Sequence, residues 1–243
     1  MDNRLLSFSI VVLVLILSPH LGTLVADYAV PYFDKIDPDR RFMWGIVHHS
    51  IQALVPVTLI FMWRKALFNQ WGFSRGDYKT GWRWVLWFTI IWVGVYAGLT
   101  VFNIYNDTNL EVYYDVTNTR NLVGELVFRG LIVGPSEEIL FRAFPICILL
   151  AAGFCKNYKI FNQDISQAGI ISAVLFALAH IGITIFPFEV HHFSVIQLIT
   201  SLGFGLFYAI VYQKTKSIYY PILIHSISDV VPVVSLFIID QIS

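Results

Sequence analysis

Residues 131–150 read Leu-Ile-Val-Gly-Pro-Ser-Glu137-Glu138-Ile-Leu-Phe-Arg142-Ala-Phe-Pro-Ile-Cys-Ile-Leu-Leu, an apolar stretch holding two adjacent carboxylates and a guanidinium. With its flanks (122–153) the stretch is long enough to cross a hydrocarbon core, which takes about 20 apolar residues. An ionisable group at the bilayer centre costs roughly 2.5–3.5 kcal/mol on insertion scales, so those retained usually face a cavity and act there. The reading of the chain turns on whether its other segments also span, and whether they bring charge to the same depth.

Composition answers the first question. Hydrophobic residues make up 57% of the 243 and charged residues 13%, against about 25% charged in a soluble domain; the mean hydropathy is +0.68. Further apolar segments of spanning length lie near 5–30, 43–63, 84–104, 168–187 and 193–213. A last one, 217–239, is interrupted by Pro221 and Pro232 and reads as one span or two short helices. The expected fold is all-α, a polytopic membrane bundle of seven to eight transmembrane helices, with residues 1–243 forming a single domain. Arg4 followed by Leu5–Leu17 has the look of a signal peptide, with Leu24-Val25-Ala26 as its cleavage site. The apolar run continues to Val30, however, which favours a retained first helix.

Sixteen basic and sixteen acidic residues cancel, and nothing points to a nucleic-acid partner. Cys147 and Cys155 are eight residues apart, neither a disulfide framework nor a CxxC site. Basic residues are biased in the connections. Arg4, Arg64, Lys65, Arg75, Lys79, Arg83, Lys156, Lys159, Lys214 and Lys216 fall on one side, and Lys35, Arg40, Arg41 and Arg120 on the other. The richer side is expected to be cytoplasmic, N-terminus included, in a cell membrane.

Depth answers the second question. At a rise of about 1.5 Å per residue, Glu137 lies roughly 20 Å from the inner end of its helix. His180 lies roughly 18 Å along the fifth span, and His225 and Asp229 roughly 12 and 18 Å along the last. Three helices thus bring ionisable residues to one level. Glu138 and Arg142 are i,i+4 and share a face, as do Phe176 with His180 and His225 with Asp229. Glu137 points about 100° from Glu138. The simplest division makes Glu138–Arg142 an internal ion pair and leaves Glu137 facing a cavity with His180 and His225, where it can serve as a general base towards water.

Glu137-Glu138-Ile-Leu-Phe-Arg142 is EExxxR, Phe176-Ala-Leu-Ala-His180 is FxxxH, and His225-Ser-Ile-Ser-Asp229 is HxxxD. This ordered trio resembles the CPBP family, the CAAX-protease and bacteriocin-processing (Abi) intramembrane proteases, over about residues 120–236. The resemblance implies a peptidase in which Glu137 and His180 activate water while His225 and Asp229 stabilise the oxyanion. The CAAX-processing branch carries Asn where this chain has Asp229, and an ionised aspartate cannot donate a hydrogen bond. Asp229 is therefore expected to orient His225, which then donates. Substrates would be peptides or protein tails reaching mid-membrane depth in the bilayer. Glu137, His180 and His225 also make a ligand set of the kind that catalytic zinc uses, so metal dependence is left open.

Other signatures are missing. HExxH does not occur, Gly203-Phe-Gly205-Leu206 lacks the aspartate of a GxGD protease, and Gly134-Pro-Ser136 has no following glycine. A competing class is a non-proteolytic scaffold or bacteriocin-immunity factor that binds a partner through the same helices. His48-His49 and His191-His192 fall at span ends, where residence at the membrane interface is the ordinary explanation. Trp82, Trp84 and Trp87 suit an interfacial belt.

Overall fold

The computed structural model describes residues 3–62, 71–106, 118–160, 162–184 and 189–242, and these form a helical bundle. Helix α1 is Asn3–Ala29, prolonged by a 3-10 turn to Phe33; α2 is Met43–Met62 and α3 Tyr78–Asn106. Helix α4 is a continuous helical run over 119–151, α5 is Gln167–Leu178, α6 Val195–Thr215 and α7 Tyr219–Ile242. Among the described residues, five stretches are long and apolar enough to cross a membrane: Asn3–Phe33, α2, α3, α6 and α7. Their outward side chains, including Ile91, Phe102 and Ile196, are exposed and apolar, as a lipid-facing surface requires. The all-α membrane bundle is present. The count of five falls short of seven to eight because α4 is irregular and α5 is short.

The irregularity of α4 has a cause in its sequence. The run is α-helical over Thr119–Val127, Gly134–Glu138 and Phe144–Ala151, and widens into π-turns over Phe128–Val133 and Ile139–Ala143. Pro135 and Pro145 each follow a π-turn by two residues. A proline has no N–H to donate, and its ring collides with the carbonyl one turn back; the wider turn makes room for it. Ser172 Oγ on α5 donates to the Phe141 carbonyl inside the second π-turn.

Helix α4 packs against α1, α2, α5 and α7 and so lies at the centre of the bundle. Leu140, Phe144, Ile146 and Leu149 join Val11, Leu15, Trp71, Phe176 and Tyr212 in the main core. Close approach to α7 depends on Gly134, where an added Cβ would sit 2.6 Å from Ser226 Oγ and 3.0 Å from the Ile222 carbonyl. A small residue at such a crossing lets two membrane helices meet backbone to backbone.

The expected span at 168–187 is corrected. Helix α5 stops at Leu178, about 18 Å long at 1.5 Å per residue, and residues 185–187 lie outside the described part of the chain. Gly182–Thr184 (β3) instead pairs antiparallel with Glu189–His192 (β4). Ile181-Gly-Ile-Thr is rich in β-branched residues, which favour strands. A second hairpin pairs Asn157–Ile160 (β1) with Gln163–Ser166 (β2), so two short hairpins accompany the helices. The last segment is one helix, with Pro221 in its first turn and Pro232 accommodated inside.

The connections gather at two ends. Arg4 donates to Gly153 O at 3.2 Å, Asp77 N to Thr215 O at 2.8 Å, and Ile218 N to Gly72 O at 2.9 Å. At the other end Arg120 pairs with Asp39 at 2.5 Å, and Asp37 accepts three backbone N–H groups, from Arg41, Phe42 and Met43, at the start of α2. Arg64 and Lys65, counted on the basic side, lie outside the described residues.

Candidate active site

The five-residue α segment Gly134–Glu138, between the two π-turns, carries both carboxylates of the EExxxR motif. Glu138 is fully buried. Its Oε1 lies 3.1 Å from Arg142 Nη1 and accepts from His225 Nδ1 at 2.7 Å. The Arg142 guanidinium, also fully buried, stacks 4.2 Å from the Phe176 ring and 5.1 Å from Tyr208. A buried ion pair calls for further hydrogen bonds to its remaining N–H groups and lone pairs; here His225 serves Glu138 Oε1 and two aromatic faces flank the guanidinium, while Glu138 Oε2 and the Arg142 nitrogens have no hydrogen-bond partner among the described residues.

Helix α7 supplies His225 from its second turn. The ring lies on Tyr208 with centroids 5.0 Å apart and planes 22° from parallel, and meets Phe176 edge-on at 6.1 Å. Ser228 Oγ donates to the His225 carbonyl at 2.7 Å, and Tyr208 Oη lies 2.9 Å from the same hydroxyl. With Nδ1 fixed by Glu138, Nε2 faces the two partly exposed carboxylates, 3.7 Å from Glu137 Oε2 and 3.8 Å from Asp229 Oδ2. The adjacent carboxylates thus address different nitrogens of one imidazole. Side-chain exposure separates them: 17% for Glu137, none for Glu138.

Two residues sit differently from their expected places. The sequence reading had Asp229 orient His225, but the short contact belongs to Glu138, and Asp229 stands beside Nε2. His180 follows the end of α5 rather than lying mid-helix. Its Nδ1 is 2.8 Å from the Phe176 carbonyl and its ring meets Phe176 edge-on at 4.7 Å. It is near enough to Glu137 for their charges to interact, but no ion pair or hydrogen bond joins the two among the described residues.

The sequence puts His48-His49 at a span end, and the structure brings His49 into the site. His49, nearly two turns into α2, places Nδ1 3.8 Å from Glu137 Oε1, with its side chain 15% exposed. Gln52 on the same face donates to Ser136 Oγ at 2.9 Å, and that hydroxyl lies 3.4 Å from His49 Nδ1. The available signal was the polar pair His49 and Gln52, spaced i,i+3 in an otherwise apolar helix. His48, its neighbour, turns to α1, where Thr23 Oγ1 is 3.3 Å from Nδ1.

The sequence reading also offered Glu137, His180 and His225 as zinc ligands. Among the described residues no three His, Cys, Asp or Glu side chains are grouped so as to hold a metal ion. His225 Nδ1 is already taken by Glu138, which leaves Nε2 alone for a ligand bond.

These observations define a class: a multi-pass helical membrane protein with a carboxylate–imidazole centre at the meeting of α2, α4, α5 and α7. Residues 119–231 match the family model described as Rce1-like, type II CAAX prenyl endopeptidase Rce1-like, and over that segment the resemblance seen in the three motifs holds. The match runs from the start of α4 to mid-α7, contains all six motif residues, and points to a membrane protease. Neither the curated proteins nor the solved structures gave a match. His49 lies outside the matched segment.

Proposed function

We propose that this chain is an intramembrane peptidase that hydrolyses peptide bonds near the carboxyl ends of membrane-associated proteins, prenylated CAAX-type tails being the first class to test. The observation that carries the reading is the position of Glu137. It is a partly exposed carboxylate beside a histidine whose far nitrogen is held by a buried carboxylate. In this account a water at Glu137 Oε2 gives its proton to that oxygen, and the resulting hydroxide attacks the peptide carbonyl carbon. His225 Nε2–H donates to the oxyanion as it forms. Collapse of the tetrahedral intermediate breaks the C–N bond, and the proton on Glu137 passes to the leaving amine.

The other residues prepare that chemistry. Glu138 fixes the ring of His225 through Nδ1, and Arg142 balances the Glu138 charge. His180, with Nδ1–H donated to the Phe176 carbonyl, leaves Nε2 free for the attacking water. Asp229, 3.8 Å from His225 Nε2, sets a negative charge beside the N–H that donates to the oxyanion. The N-terminus and the Arg4, Lys156 and Lys214 end face the cytoplasm of a cell membrane by the charge bias of the connections.

Incubating purified protein with a farnesylated CAAX peptide, and following release of its last three residues by mass spectrometry, tests the reading. Glu137→Ala and His180→Ala, made separately and shown to be folded, should each lose cleavage. Folded variants that cleave at the parent rate sink it, and would leave the partner-binding scaffold as the better reading.

A further inference from the structure

Glu137 is flanked by two imidazoles, and only one of them belongs to the motif segment. Oε2 faces His225 Nε2 at 3.7 Å and Oε1 faces His49 Nδ1 at 3.8 Å, so the carboxylate lies between α7 and α2. His49 does not meet it by accident of a mobile surface. Its ring packs edge-on against Phe128 at 5.3 Å and against His48 at 5.1 Å, which limits how the imidazole can turn. Gln52 and Ser136 form a hydrogen-bonded pair beside the same nitrogen. The backbone approach that permits this is built into α2. A Cβ on Gly45, one turn before His49, would sit 2.4 Å from the Phe128 ring.

A general base must keep its reactive oxygen pointed at water through the whole cycle. A carboxylate on a two-carbon stem has free rotors, and one contact on Oε2 does not fix it. A second donor on Oε1 does. We propose that His49 is a positioning residue for peptide hydrolysis. Its Nδ1 stands 3.8 Å from Oε1 of Glu137, beside Gln52 Nε2 and Ser136 Oγ at 3.4 Å each, and closes to hydrogen-bond length on Oε1 only in the reacting complex, so that Oε2 stays turned towards His225 and the attacking water. The inference rests on the peptidase reading above and adds to it a residue from α2, a helix that lies outside the family match. His49 touches neither water nor peptide in this account, so its loss should reduce kcat and leave KM little changed.

Two substitutions separate this role from simple packing. His49→Phe keeps the ring against Phe128 and removes the nitrogen. His49→Asn gives up the ring and keeps an N–H donor close to the position of Nδ1. With the farnesylated CAAX peptide as substrate, His49→Phe should lower kcat by about tenfold to a hundredfold, with KM within about twofold of the parent. His49→Asn should recover most of the rate despite the smaller side chain. The reverse order, Phe active and Asn impaired, means that the ring serves packing alone and overturns the proposal. The Glu137→Ala control keeps the two readings apart. If Glu137→Ala still cleaves, the peptidase mechanism itself fails. If Glu137→Ala is inactive while His49→Phe turns over at the parent kcat, only the role of His49 is lost.

Discussion

Glu138 and His225, 87 residues apart in the chain, are joined by a 2.7 Å hydrogen bond from Nδ1 to Oε1 in the interior of the bundle. That bond is what ties α4 to α7 at the level of the site. It selects which nitrogen of the histidine faces Glu137 and Asp229, and it makes Glu138 more than a helix brace. A histidine with one nitrogen fixed by a carboxylate has its tautomer and ring plane set before substrate arrives.

Breaking the charge balance behind that bond should cost stability. Glu138→Ala leaves the Arg142 guanidinium buried without its carboxylate, an arrangement that costs about 3–5 kcal/mol when one partner of a buried pair is removed. Thermal unfolding in detergent should show a large fall in Tm. Glu138→Gln, which keeps an acceptor for His225, should fall less.

The ring of His225 should matter to rate more than to folding. His225→Asn keeps an N–H for Glu138 near the position of Nδ1 and removes the Nε2 donor, and loss of one oxyanion donor lowers kcat by about 10²–10³. The check is kcat on a farnesylated CAAX peptide, with circular dichroism confirming helix content. A rate within twofold of the parent removes His225 from the mechanism.

Gly134 sets the distance between α4 and α7. A Cβ there meets Ser226 Oγ at 2.6 Å and the Ile222 carbonyl at 3.0 Å, so Gly134→Val must push the helices apart. Displacing the carboxylates from His225 by about 1 Å is enough to cost on the order of a hundredfold in rate. The variant should keep its helicity and lose turnover. Gly134→Ala should lie between the two.

Much of the site could be read from spacing, because i,i+4 pairs in a helix meet wherever the helix is placed. Glu138–Arg142 and Phe176–His180 are such pairs. The rest depended on features that apolar runs conceal. Residues 168–187 look uniformly hydrophobic, so hydropathy could not distinguish the helix ending at Leu178 from the β-branched hairpin strand that follows. The π-turns of α4 leave no trace in hydropathy either, although Pro135 and Pro145 mark where they end. His225 pairs with Asp229 by spacing, yet its Nδ1 turns across to a different helix, a choice that only tertiary packing makes. His49 is marked only by its spacing from Gln52, because its partner, Glu137, is on another helix and its neighbours Trp44 and His48 resemble an interfacial cluster.

Donor geometry also bears on metal. Three candidate ligands do not converge among the described residues, so cleavage of the farnesylated peptide should be unaffected by prior treatment with a chelator. Loss of activity on chelation, with recovery on adding zinc, would contradict this arrangement of the site.

The most direct measurement compares Glu137→Gln with the parent, both purified and folded, for kcat on the farnesylated CAAX peptide. Glutamine keeps the size of the side chain and cannot accept the proton of water as a base. With Glu137 as the base, kcat falls by about 10²–10⁴ and the unfolding temperature is unchanged. A Glu137→Gln enzyme that turns over at the parent rate contradicts that role.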